Sequence, residues 1–363
     1  MNTAVISLRD NRLVETLTVF MQGFRAHALL YFFAGLASVF AVGESVLFDL
    51  PVNLKMVFIF TGPVLGLLAG LIYLGLAFEL HRLHRSGYEG RLLYGMWLKL
   101  SDDYFSPQRV ANALHACLFM TMFMAGYGSV KEAIPHVVPY SWDETFMQWD
   151  KFIHFGRQPY EWLAPILNFP LATFLVNLNY NIWFFVMFTC WFWQGFSKAD
   201  SPLRQQFLLS FALTWFLGGC ILATIFSSGG PCFYGKLLPG PDPYAPLMSN
   251  LNEATSQYTI WSLTVMDTLW RNYETGAGSI VGISAMPSMH TASATLFALL
   301  GYASGKKWLG NLLSVFAFLI LVGCVHLGWH YAIDGYAGMA IAVTCWWLAG
   351  RLVNWDRRNR GLA

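Results

Sequence analysis

Charged residues are scarce in this sequence: Asp, Glu, Lys and Arg make up only 12% of its 363 residues. Soluble domains carry about 25% of such residues, so an ordinary soluble domain is excluded. The net charge is only +2. That leaves no basic stripe to neutralise a phosphate backbone, so no nucleic-acid partner is expected. Apolar residues reach 56%, a composition that indicates a polytopic membrane protein.

Paired cysteine motifs and a leader are also lacking. The six cysteines include no CxxC pair, and all except Cys232 lie in or at the ends of apolar runs, so no disulfide framework is expected. Residues 1–27 carry charges throughout, without an apolar core followed by a cleavage site, so they do not form a cleavable signal peptide. We expect segment 1–26 to be cytoplasmic or interfacial, as a helix lying on the membrane surface.

Hydropathy predicts an all-α fold with about eight transmembrane helices and additional interfacial helices. The sixth run is shorter than the ~20 residues that a span needs, and we expect its polar start to be sheltered inside the bundle. The predicted spans are 27–48, 55–78, 110–128, 172–195, 207–227, 289–304, 309–327 and 331–353.

Lys and Arg are distributed unevenly between the alternate connecting segments. Sixteen of the 22 fall on the side of the two termini, and six on the other side. By the positive-inside rule, both termini are cytoplasmic and loops 129–171 and 228–288 face the opposite side. Short tails without a retention signal favour a bacterial inner (plasma) membrane, and in a eukaryote a Golgi-type membrane would have the same topology.

The two long non-cytoplasmic loops differ in character. Residues 142–165 mix aromatic and charged side chains at roughly helical spacing, which predicts a helix in the headgroup layer. Residues 227–247 contain so many Gly and Pro residues that a continuous helix is excluded, and we expect an ordered loop or a lid there.

Two polar clusters stand at span ends on this same side. The stretch SAMPSMHTASATLF, residues 284–297, places Pro287, Ser288 and His290 directly before an apolar run. The stretch HLGWHYAIDGYAG, residues 326–338, adds His326, His330 and Asp334. Two separate spans therefore present imidazoles to one face of the membrane.

The spacing of the second cluster allows a carboxylate to orient a histidine. His330 and Asp334 are four residues apart and are neighbours on a helix face. A carboxylate there can accept one ring N–H and leave the other nitrogen electron-rich, which is how a catalytic histidine is oriented. An ionised carboxylate inside a span costs on the order of 3 kcal/mol, and a histidine partner offsets that cost.

The sequences AMPSMH and HYAIDGYAG together resemble the type-2 phosphatidic acid phosphatase superfamily of integral-membrane lipid phosphate phosphatases. Its P-S-x-H motif is matched at Pro287, Ser288 and His290, and its H-x-x-x-D motif at His330 and Asp334. The resemblance covers about residues 207–353. The form H-Y-x-x-D, Met289 in place of the usual Gly, and the stretch DKFIHFGRQPYEWL resemble the inositol phosphorylceramide synthase branch and extend the similarity upstream to about residue 140.

Two family features are absent. The K-x6-R-P motif is missing, and Cys324 stands where the third motif often has Arg. The synthase branch also lacks these basic residues. The cation that holds the phosphate stays open, with His326, Lys236 and Arg271 as candidates. Tyr331 of the third motif is a further candidate substrate-binding residue.

The resemblance implies a mechanism in two displacements. His330 would attack phosphorus and form a phosphohistidine, Asp334 would hold its tautomer, and His290 would act as general acid and then general base. Ser288 and the amides at the start of the sixth span would bind phosphate oxygens. No metal or cofactor is implied. The partners would be the bilayer, a phospholipid or sphingolipid donor and a lipid-alcohol acceptor.

The resemblance also implies an organisation into parts. Residues 207–353 would be the catalytic core, a lipid-phosphatase-like bundle of the last four or five spans. Before it come segment 1–26 and the N-terminal spans 27–206, which include the non-cytoplasmic interfacial region 129–165. A cytoplasmic tail, 354–363, follows.

Three other functions are compatible with the same residues. Transfer to water instead of an alcohol would give a phosphatase acting on a phosphatidic-acid-like or polyprenyl phosphate or diphosphate. His326, His330 and Asp334 have a spacing that could ligate a metal, although no Glu follows His326 as in the zinc-protease signature. A lipid transporter could line its path with the same groups, although no inverted repeat is visible.

Overall fold

The structure is a computed structural model. It describes residues 2–50, 52, 55–87, 96, 105–197, 201–275, 282–359 and 361, and their side chains except those of 2–11, 55, 56 and 58–64. Of the basic residues behind the predicted orientation, Arg91, Lys99, Lys198 and Arg360 lie outside the described residues, as do the side chains of Arg9 and Lys55.

The described residues form helices joined by loops, and no β-strand occurs among them. The N-terminal helices are α1 (Asn2–Gly23), α2 (Ala28–Phe48), α3 (Lys55–Arg85) and α4 (Pro107–Val137). The following helices are α5 (Asp143–Ile153), α6 (Pro159–Leu167), α7 (Pro170–Gly195), α8 (Pro202–Phe216), α9 (Ala245–Ala254), α10 (Trp261–Thr275), α11 (Met289–Ala303), α12 (Lys307–His326) and α13 (Ala332–Asn359). Helix α8 continues through a π-helical turn at Leu217–Leu222 and ends at Ile225.

Seven helical stretches within the described residues are long and apolar enough to cross a membrane. They are Arg25–Phe48, Leu65–Arg85, Pro107–Val137, Pro170–Gly195, Pro202–Ile225, Lys307–His326 and Ala332–Asn359. Each overlaps a span predicted from hydropathy, although the third extends nine residues beyond its predicted end at 128. The all-α polytopic fold is confirmed.

The predicted sixth span, 289–304, differs from the other seven. It forms α11, whose 15 residues extend only about 22 Å, less than the ~30 Å hydrocarbon core of a bilayer. Helix α11 contacts α7, α8, α12 and α13, and most of its residues are buried. Small side chains such as Ala292, Ser293 and Ala294 permit this close packing. Helix α11 is therefore a short internal helix, and its first residues lie inside the bundle.

Loops from distant parts of the chain meet at the N-terminal end of α11. Residues 227–233, 284–288 and 327–331 are joined there by backbone hydrogen bonds: Ala285 N–H donates to Ser228 O over 2.9 Å, and Cys232 N–H donates to Gly328 O over 2.9 Å. Helices α5 and α6 occupy the segment 142–165 that was predicted to be helical. Helix α5 leaves Trp149 and Phe152 exposed, as expected for a helix in the headgroup layer.

Helices α2 and α4 pack with their backbones in contact. A Cβ atom added at Gly126 of α4 would lie 2.7 Å from the carbonyl carbon of Ala37 and 2.8 Å from the Ser38 nitrogen in α2. Ala34 and Ala37 are fully buried on the facing side of α2. Small residues thus set the distance between these two helices, as is common inside membranes.

We expect Gly126→Ala to destabilise the protein by about 1–3 kcal/mol, because the added methyl group overpacks a backbone contact. Gly35→Ala in α2 is the matched control, since a Cβ there has no neighbour within 4 Å and the change should be neutral or slightly stabilising. Thermal unfolding in detergent, followed by helical circular dichroism, measures both variants. Equal Tm values for the two would contradict this account of the α2–α4 contact.

Candidate active site

The structure brings His290 and His330 together. Their ring centroids are 6.3 Å apart, although the residues are 40 positions apart in the chain. His290 lies in the first turn of α11, and His330 lies in the loop before α13. Both rings line one cavity. The separation is about two hydrogen-bond lengths, so one phosphoryl group could contact both rings.

A backbone carbonyl orients the His330 ring. Nδ1 lies 2.8 Å from Ala285 O, and since a carbonyl only accepts, Nδ1 carries the proton and Nε2 is left free. Asp334 Oδ2 is farther from Nδ1, at 3.5 Å, and it accepts the Tyr331 N–H over 3.0 Å. Burial lowers the pKa of His330 to about 3, so the ring is neutral at pH 7, the state that a nucleophile requires.

Aromatic side chains of α7 fix His290. Its ring stacks on Tyr180, with centroids 4.5 Å apart, and lies 4.2 Å from the Trp183 ring. The Trp183 indole N–H also donates to the His290 carbonyl oxygen over 3.1 Å. The position of His290 therefore depends on α7 as well as on its own helix.

Ser288 lies under the site and not in its wall. The side chain is fully buried, and its Oγ caps α11 by accepting the Thr291 N–H over 3.4 Å. Its backbone N–H donates to the Asp334 carbonyl oxygen over 2.9 Å. Ser288 thus links the two histidine motifs and directs the positive end of the α11 dipole toward the cavity.

The remaining predicted binding residues are not among those lining the cavity. Lys236 is exposed and stacks over Trp270 at 4.8 Å, and Arg271 is also exposed. His326 is buried, with Nε2 3.0 Å from Thr173 Oγ1. The Tyr331 hydroxyl is directed away and donates to Asp143 over 2.8 Å.

Lys131, which sequence reasoning missed, is a cation that lines the cavity. It lies near the end of α4, and its charge acts on both His290 and His330. The hydropathy prediction ends the third span at residue 128 and leaves Lys131 in the following loop. The available signal was the apolar pair Ala133 and Ile134, two and three residues beyond Lys131.

Two buried carboxylates on α5 hold the loops of the site. Asp143 accepts the N–H groups of Gly229 and Gly230 over 2.9 and 2.8 Å, together with the Tyr331 hydroxyl. Asp150, two turns later, accepts the Ala332 and Ile333 N–H groups over 2.6 and 3.0 Å.

Burial raises the pKa of both carboxyl groups, that of Asp150 to about 7, and the donated N–H bonds oppose the shift. Asp143 thus binds Tyr331, the residue that follows His330, and Asp150 binds the first two residues of α13.

The cavity has a volume of about 570 Å³. Polar lining groups gather at the histidine end and include Lys131, Asn181, Ser262 and Ser284, whereas aromatic and Met side chains line most of the remainder. Within the described part of the chain, no three or more His, Cys, Asp or Glu side chains are grouped so that they could hold a metal ion. The arrangement offers a neutral imidazole, a second imidazole and a cation to a substrate with an apolar body.

Comparison with known proteins supplies the family. No curated protein matches the chain, and no solved structure matches it either. A family model of the PAP2 superfamily matches residues 144–348, more than half of the chain, and this segment includes both histidine motifs and most of α5. The chain belongs to the PAP2 superfamily and is, at this level of description, a membrane-embedded enzyme of the lipid phosphatase and phosphotransferase type.

Proposed function

We propose that this enzyme transfers a phosphoryl group or a phosphate-bearing headgroup from a lipid donor to a lipid alcohol through a phosphohistidine at His330. The observation that carries the proposal is the pair of imidazoles at one cavity, their centroids 6.3 Å apart. Because Ala285 O holds the proton on Nδ1 of His330, the lone pair of Nε2 is available to attack phosphorus.

The first displacement would form the Nε2–phosphorus bond and break the bond between phosphorus and the leaving oxygen. His290, which would take up a proton when the anionic phosphate binds beside it, would donate that proton to the leaving oxygen. In the second displacement, neutral His290 would take the proton of the acceptor hydroxyl, whose oxygen would attack phosphorus and release His330. Each proton given in the first step is recovered in the second, so the enzyme returns to its starting state.

Lys131 would neutralise the charge on the phosphate oxygens during both displacements. Its position beside both rings supports this role, and the N-terminus of α11 would add a partial positive charge. Asp334, 3.5 Å from Nδ1 of His330, would stabilise the positive charge that develops on the ring. Ser288 would act by capping α11, since its Oγ accepts the Thr291 N–H.

Two features support transfer over hydrolysis. Helix α5 is bound to the loops on both sides of the site by Asp143 and Asp150, an arrangement suited to excluding water, which a transferase requires. The second feature is the resemblance of HYAID and of segment 150–163 to the inositol phosphorylceramide synthase branch. The alternative is a lipid phosphatase that uses the same residues, and superfamily membership favours that reading equally.

The choice between the two reactions depends on the acceptor. Purified enzyme given a phospholipid donor should form product faster when a lipid alcohol such as ceramide or diacylglycerol is added, because the phosphohistidine is shielded from water. Mass spectrometry of the lipids and assay of free phosphate or phosphoalcohol measure the outcome. Release of the water-soluble product at an equal rate with and without the alcohol contradicts the transferase and supports the phosphatase.

His330→Ala should abolish turnover and remove the covalent phosphate, because Nε2 of His330 is the atom that would bond to phosphorus. His290→Ala should slow turnover by about 10²–10⁴-fold but still permit labelling of His330. The covalent phosphate in each variant is measured by incubation with a ³²P-labelled lipid. A phosphohistidine gives label that is labile in acid and stable in base, and peptide mapping locates it. The exposed His136 provides the control His136→Ala, and label that persists in His330→Ala would remove the proposed nucleophile.

Lys131→Met should lower kcat/KM by about 10²–10³-fold, the loss typical of one removed charge-stabilising donor. Lys236→Met should have little effect, because the Lys236 ammonium lies over Trp270 outside the cavity. Steady-state kinetics on one lipid phosphate compares them. The opposite ranking of the two variants would assign the phosphate-binding cation to Lys236.

A further inference from the structure

Below the two histidines, the cavity continues between α4 and α7. The α4 side is lined by residues from Cys117 to Lys131, and the α7 side by residues from Tyr180 to Phe192. At 1.5 Å per residue these two faces are about 21 and 18 Å long. One leaflet of a bilayer has a hydrocarbon depth of about 15 Å, half of the ~30 Å core. The cavity is therefore long enough for an extended chain of a membrane lipid.

Polarity changes along the cavity. The groups that can bind a headgroup lie at the histidine end, whereas the walls below are formed by side chains such as Met124, Met187, Phe188 and Trp191. The polar side chain Thr121, which is exposed in the lower part of the cavity, donates its hydroxyl proton to the Cys117 carbonyl oxygen over 3.0 Å, so that donor is already satisfied. A hydrocarbon chain would therefore meet an apolar surface along most of its length.

The cavity ends where α4 and α7 come into close contact. A Cβ atom added at Gly195 would lie 3.5 Å from the Cβ of Ala116, one residue beyond Cys117 at the lower end of the lining. Helix α3 lies across the space between the two helices, because it contacts both of them, and Leu65 from α3 is part of the lining. The cavity thus has a floor and a side wall, and its length is bounded.

We infer that this space binds one long hydrocarbon chain of the lipid substrate, with its phosphate at His290 and His330 and its methyl end near Cys117. The inference rests on the proposed function and adds a limit to its lipid substrate, which is a hydrocarbon chain no longer than the cavity. The floor at Ala116 and Gly195 limits that chain, so the enzyme selects substrates by chain length.

Thr121→Trp tests this inference, because the indole fills the lower part of the cavity. Met122→Trp is the matched control, since Met122 is the next residue and is exposed like Thr121 but does not line the cavity. We expect Thr121→Trp to lower kcat/KM for a hexadecyl phosphate about tenfold or more, the loss for about two excluded methylene groups. For octyl phosphate, which ends above the indole, we expect a change of less than about twofold.

Retained activity on octyl phosphate would also show that Thr121→Trp folds. The inference would be overturned by equal loss on both substrates, by loss on neither, or by the same pattern in Met122→Trp.

Photolabelling tests the chain-binding site separately from the proposed reaction, because labelling requires no turnover. We expect hexadecyl phosphate with a terminal diazirine to label residues 117–121 and 188–192 of the wild-type protein, in competition with unlabelled hexadecyl phosphate.

Label confined to positions such as Leu118, Met122 and Phe185, which are exposed but do not line the cavity, would overturn the chain-binding site even in an active enzyme. Label in the cavity of a protein that shows no turnover would support the chain-binding site and contradict the proposed reaction.

Discussion

The site depends on two buried carboxylates that bind backbone N–H groups. Asp143 and Asp150 project from the same face of α5 and accept from Gly229, Gly230, Ala332 and Ile333. Gly229 and Gly230 lie about 100 residues before Ala332 and Ile333 in the chain, so the two carboxylates add to the backbone bond from Cys232 to Gly328 in holding these segments together. Charge-assisted bonds of this kind are among the strong ones, and an unpaired buried carboxylate is costly. The loops around His330 are consequently held in one arrangement.

Much of the fold could be predicted because its physical signals are local. Apolar runs identified the seven long spans, and alternating Lys and Arg content placed both histidine motifs at one end of the bundle, where the rings meet. The short sixth run could not be assigned as firmly, because hydropathy reports apolarity and not whether lipid or protein surrounds a helix. The structure places it inside the protein as α11.

The contacts that complete the site could not be predicted, because they join distant parts of the chain. The bond from His330 Nδ1 to Ala285 O spans 45 residues and uses a backbone carbonyl, which every residue possesses. Lys131 reaches the cavity that both imidazoles line only once α4 packs against α7. Asp143 and Asp150 had the appearance of surface charges on an interfacial helix, and only the packing of α5 on the loops makes them buried.

The family match begins at residue 144, whereas α4 ends at Val137. The histidines and most of the groups that hold them therefore lie in the shared segment, but one entire wall of the cavity and Lys131 lie upstream of it. In the proposed mechanism, both imidazoles and the α7 wall of the cavity come from the shared segment, whereas Lys131 and the α4 wall come from the upstream stretch. Mutations in the α4 wall away from Lys131 would thus redirect an inherited reaction to new lipids during evolution while leaving both histidines and the cation in place.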